Sequence, residues 1–99
     1  MRELILDEML PAGLEAELRA RGRAARRLEP AGLTDAEALE AARDGVLVTA
    51  DQATAERRPA GATVALVMAR AGAPRRDAVH RHAHEMSSQR PGSLRRYVG

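Results

Sequence analysis

The chain has 99 residues, a formal net charge of +2 at pH 7, no Cys, no Phe and no Trp. That length admits a single domain over 1–99 with no second core, and the lack of cysteine excludes disulfides and thiolate metal sites. All 16 basic residues are Arg, whose forked guanidinium suits phosphate, while so small a net charge permits nucleic-acid binding without demonstrating it. With Tyr97 the only aromatic, the core must be built from Ala, Leu and Val. Such a core is thin in buried area and argues for a homodimer or a partner chain. No apolar run approaches the ~20 residues of a membrane span. The stretch Met1–Asp7 carries acids where a signal peptide would be apolar. The chain therefore reads as cytoplasmic, with no membrane partner.

Taken in order, residues 2–6 form a short apolar run ending at Asp7, which predicts a buried strand. Pro11 suits the first turn of a helix with Leu10, Leu14, Leu18 and Arg21 at helical spacing, stopped by Gly22. Residues 23–28 read as a second strand, mainly from their place between two helices, and Pro30 and Gly32 mark a loop. Thr34 and Glu37 form a capping-box signature for a helix through Ala38, Leu39, Ala42 and Arg43, ended by Asp44-Gly45. Residues 46–49 (Val-Leu-Val-Thr) predict a third strand. Residues 51–58 are a short helix or a loop, broken by Pro59 and Gly61. Residues 63–68 are the strongest strand pattern. Pro74 opens a helix over about 75–89, with Val79, Ala83 and Met86 facing inward. Residues 94–98 form a last strand, with Arg95 and Arg96 suiting an edge. Strands alternating with helices predict an α/β fold with a central, mostly parallel sheet of about five strands.

Three acids stand where chemistry gathers in such a fold. Asp7 follows the first strand, Asp51 follows the third, and Asp35 opens the helix before the third. Ligand sites in open parallel sheets lie beyond the carboxyl ends of the strands, so Asp7 and Asp51 converge if strands one and three are neighbours. Gathered carboxylates repel unless a cation lies between them, and an oxygen-only donor set favours Mg²⁺ or Mn²⁺. A metal so held activates water and polarises a phosphodiester. Each acid also has a plainer role open to it. Asp35 would complement a helix dipole, Asp51 would cap the next helix, and Asp7 or Glu8 would cap the helix at Pro11.

Residues 4–11 (Leu-Ile-Leu-Asp-Glu-Met-Leu-Pro) resemble the Leu-Asp-Glu-Asn-Leu-Pro opening of short PIN-like, VapC-like proteins of toxin–antitoxin operons. Residues 34–39 resemble that family's Ser-Asp-Glu-Glu-Ile-Leu segment, and residues 46–51 its Val-Leu-Val-Thr-x-Asp strand end. The resemblance runs over about the whole chain in order and spacing. It implies a PIN-like three-layer fold and a metal-dependent endoribonuclease silenced by a small antitoxin. Its implied catalytic and metal residues are Asp7, Asp35 and Asp51, with Glu8, Glu37 and Glu56 secondary. The family continues Thr-x-Asp-x-Asp-Phe, whereas this chain has Ala53 and Thr54; Met9 replaces the usual Asn. The missing fourth acid puts a second metal in doubt. It opens an alternative, a catalytically weak or inactive PIN-like module acting through protein or RNA binding.

The pairs Arg57-Arg58, Arg75-Arg76 and Arg95-Arg96, with Arg23, Arg26 and Arg27, offer a phosphate track along an RNA substrate. Arg57, Arg58, Arg75 and Arg76 are its foremost candidates, against the plain reading of a solvated surface. His80, His82 and His84 read as surface histidines, since no third metal ligand accompanies His80 and His84. A receiver domain also gathers acids at strand ends but needs a late Lys, and this chain has none.

Overall fold

The structure, a computed structural model, describes residues 2–29, 32–68 and 74–98. The elements follow as β1 (Leu4–Leu6), α1 (Leu14–Ala20), β2 (Ala25–Arg27), α2 (Asp35–Ala41), β3 (Val46–Thr49), α3 (Gln52–Glu56), β4 (Val64–Met68), α4 (Arg75–Ser87) and β5 (Leu94–Val98). The alternation expected from the sequence is present, and the ambiguous 51–58 segment contains a five-residue helix. The predicted loop at Pro30 lies outside the described residues.

The strands form one sheet in the order β2-β1-β3-β4-β5, with every pairing parallel. Side chains alternate across a sheet with a period of two, so the register sorts the core into two layers. Leu4, Leu6, Val46, Val48, Ala65, Val67 and Tyr97 face α1 and α4, where Leu14, Leu18, Val79, Ala83 and Met86 meet them. Ile5, Leu47, Val64 and Leu66 face α2 and α3, where Ala38, Leu39, Ala42 and Ala55 meet them. The architecture is therefore three-layered, helix on sheet on helix.

This arrangement fixes the relative hand of the crossovers. The β2–α2–β3 and β3–α3–β4 connections move towards β5 over one face, and β1–α1–β2 moves the opposite way over the other, so all three share one hand. The β4–α4–β5 connection also moves towards the edge, yet α4 lies on the α1 face; its hand is opposite. Crossovers are right-handed almost without exception, which makes this last one the left-handed member.

Several boundaries differ from expectation: α2 ends at Ala41, short of Arg43, and α4 at Ser87, short of 89. α1 begins at Leu14, not at Pro11, because Gly13 at φ 88° occupies its N-cap in the left-handed region that only Gly adopts freely. Leu10 is still buried, held in the turn after β1 by its N–H to the Asp7 carbonyl at 3.1 Å. Gly45 is needed for space: a Cβ there would stand 2.6 Å from the Glu3 carbonyl oxygen, so β3 enters the sheet tight against β1.

Candidate functional site

The register of β1 and β3 builds the site. Leu6 pairs with Val48, and the Asp7 N–H extends that ladder to the Val48 carbonyl at 2.9 Å. Asp7 thus lies level with Thr49, and alternation turns both side chains towards α2 and α3. The fully buried Thr49 hydroxyl donates to Asp7 Oδ2 at 2.7 Å and accepts from the Asp51 N–H at 3.1 Å. Asp51 is extended, at φ −93°, and caps α3: Oδ1 accepts from the Ala53 N–H at 2.9 Å and Oδ2 from the buried Thr54 hydroxyl at 3.0 Å. Asp7 and Asp51 line one cleft of about 100 Å³ beyond the C-terminal ends of β1 and β3, with Met9, Leu33, Ala38 and Thr54 around them. This is where the strand order reverses, the place where open α/β sheets take ligands.

The other predicted acids divide. Asp35 is the first residue of α2, whose opening turn borders the same cleft; its side chain lies outside those described. Glu8 lines the cleft, but its Oε2 accepts from the Gly32 N–H at 2.8 Å. Glu37 completes the capping box expected from the sequence, with Thr34 N–H to its Oε1 at 3.0 Å and its own N–H to Thr34 Oγ1 at 3.2 Å. Those bonds from Thr34 hold its carboxyl below the ordinary carboxylate range. Glu56 accepts from Gln52 Nε2 at 2.8 Å along α3. Among the described residues, no three His, Asp or Glu side chains gather closely enough to hold one metal ion.

The arginines of the expected phosphate track are scattered. Arg57 is the C-cap of α3, at the far end of that helix from Asp51. Arg58 donates to the carbonyls of Ala62 and Gly92, at 3.2 and 2.9 Å, joining the loops that enter β4 and β5 on the rim opposite the carboxylates. Arg75 is exposed at the start of α4, on the carboxylate rim but over the other face. Arg76 stands 3.4 Å from Glu17 of α1. Arg27 instead braces the site, its guanidinium donating to the carbonyls of Glu8 and Leu10.

His80 departs from the surface reading. Its side chain is only 10% exposed and its Nε2 lies 2.8 Å from Glu17 Oε1, tying α4 to α1. That hydrogen bond, with Arg76 close by, pulls the Glu17 carboxyl below its ordinary value. His82 pairs with Glu85 at 3.0 Å and tilts against Tyr97, ring centres 5.3 Å apart, so the histidines serve separate contacts.

Sequence reasoning missed Thr49, Thr54 and Arg27 as site-building residues. The signal present was a hydroxyl ending an otherwise apolar strand, where a buried polar group needs a partner. A larger groove of about 630 Å³ runs between α2 and residues 57–62, lined by Leu39, Arg43, Arg57 and Ala62. Neither aspartate lines it, and the convergence of charged groups at the strand ends outweighs its size in locating chemistry. Comparison of the chain with protein-family models, curated proteins and solved structures returned no match.

Proposed function

We propose that the protein is a metal-dependent endoribonuclease of the PIN-like kind, the toxin of a toxin–antitoxin pair, with Asp7 and Asp51 as metal ligands and Asp35 as the third. One observation carries the reading: the β1–β3 register brings Asp7 and Asp51 to a shared cleft at the reversal of strand order. The donor chemistry fits, since two carboxylates and a neighbouring hydroxyl are hard oxygen donors of the type taken by Mg²⁺ or Mn²⁺. When bound, such an ion supplies Lewis-acid activation of water and phosphate.

The chain's own residues position the ligands. Thr49 fixes the rotamer of Asp7 through one carboxylate oxygen and holds the Asp51 backbone through its lone pair. Ala53 and Thr54 fix both oxygens of Asp51. In this reading Arg75, exposed on the same rim over the other face of the sheet, would meet a phosphate further along the RNA. A cytoplasmic RNA substrate and a small antitoxin partner belong to this reading. Among the described residues no helix is long and apolar enough to cross a membrane.

A second reading, a PIN-like module with little or no activity, is favoured by Asp51: both of its oxygens already serve the α3 cap, and Ala53 supplies no fourth acid. Titration of Mn²⁺ followed by calorimetry, together with cleavage of single-stranded RNA, separates the two. The nuclease reading expects Mn²⁺ binding and cleavage, both lost in Asp7→Asn, with at least a hundredfold fall in rate. Binding without cleavage leaves the inactive module, and cleavage that survives Asp7→Asn removes the site altogether.

A further inference from the structure

All-parallel sheets occur almost only with both faces covered, because each βα crossover lays a helix on them. The reversed hand of the β4–α4–β5 crossover breaks that pattern locally. A right-handed connection would have laid α4 beside α3; instead α4 joins α1, and the α2/α3 layer ends at Leu94. The register places Leu94, Arg96 and Val98 of β5 on that face, with Met68 of β4 opposite Val98. Val98 is 44% exposed and Met68 39%, and Arg96, the next residue before Val98 on the same face of β5, is also exposed.

The charge of this strip decides what fits it. Among the described residues no carboxylate pairs with Arg96. A symmetric pairing of two copies about this strip would bring guanidinium against guanidinium, which like charges oppose. A helix is the element that normally covers a parallel sheet, and a carboxylate on it would meet Arg96 beside the Met68–Val98 pair. We propose that a partner chain lays an amphipathic helix on the exposed strip of β5, with apolar residues on Met68 and Val98 and a carboxylate on Arg96.

The test uses the full ¹⁵N-labelled protein and two alanine-based helical peptides, each carrying two leucines on one face with either Glu or Lys one turn beyond them. The Glu peptide should shift the amide resonances of Met68, Arg96 and Val98 and bind about threefold more tightly than its Lys twin, the scale of a partly exposed ion pair. Arg96→Glu should reverse that preference, and Val98→Asp should abolish the shifts. Both positions are exposed, and an unchanged thermal midpoint checks that each variant folds. The proposal is overturned if the peptides bind equally, if the preference survives Arg96→Glu, or if no shift appears. Shifts in the groove beside residues 57–62 would also overturn it. Movement of the same amides with protein concentration alone would assign the strip to a second copy.

Discussion

The two faces of the sheet are built from different materials. The α1/α4 face packs Leu4, Leu6, Leu14, Leu18 and Met86, all fully buried, under a helix of 13 residues and one of seven. The α2/α3 face is covered by helices of seven and five residues that contribute mainly alanines, and it carries the carboxylate cleft, the larger groove and the exposed strip of β5. Bulk on one side and the strand-end carboxylates on the other divide the labour: one face holds the fold, the other presents it.

That division is open to measurement. Leu6→Ala or Leu14→Ala, on the tightly packed face, should cost about 2–5 kcal/mol in urea unfolding, and Leu39→Ala should fall at the lower end of that range because its site borders a groove. Equal losses would break the comparison. Thr49→Val keeps the shape but strands the Asp51 N–H and removes a donor from Asp7. It should cost about 1–3 kcal/mol in the same assay, and a neutral result would show that water replaces the hydroxyl. Thr34→Ala removes the cap of α2 and should cost about 1 kcal/mol, with hydrogen exchange rising first in that helix.

The smallest effect concerns acid. Glu17 binds better as the carboxylate, because His80 hydrogen-bonds it and Arg76 stands near, so its native value lies below the ordinary 4.5. Its stabilisation is whole above that ordinary value and is lost as pH falls through the lowered one. Glu17→Gln should therefore flatten part of the acid limb of a stability–pH curve, while leaving the cleft's amide resonances in place. An unchanged limb would show that the α1–α4 tie is not electrostatic.

The alternation of strands and helices was legible because apolar runs and turn residues punctuate the chain at regular intervals, and the Thr34–Glu37 box located the start of α2. The neighbouring of β1 and β3 was only a condition in the sequence; nothing in residues 4–6 or 46–49 states who pairs with whom. The start of α1 was misplaced because Pro11 and Gly13 both punctuate, and only the backbone shows which one prevails. The side of the sheet taken by α4 was illegible, since Val79, Ala83 and Met86 specify an inward stripe without saying which face it meets. Asp51 was legible both as a strand-end acid and as a helix cap, and it serves the second role in the geometry described. Thr54, counted only as the absence of an aromatic, anchors that carboxylate.

The order of the strands also bears on how the chain reaches this structure. Leu4 pairs with Ala25 on one side and Val46 on the other, so β1 cannot complete its pairings until the residues of β3 have been made. Among the described residues no hairpin supplies a local start, because every ladder spans a whole helix. Such non-local wiring delays folding, and synthesis at roughly 5–20 residues per second leaves the apolar Leu4–Leu6 segment waiting for seconds before Val46 is made. Of the five strands, the one that delivers Asp7 is thus translated ahead of the other four and is among those longest without a complete set of neighbours.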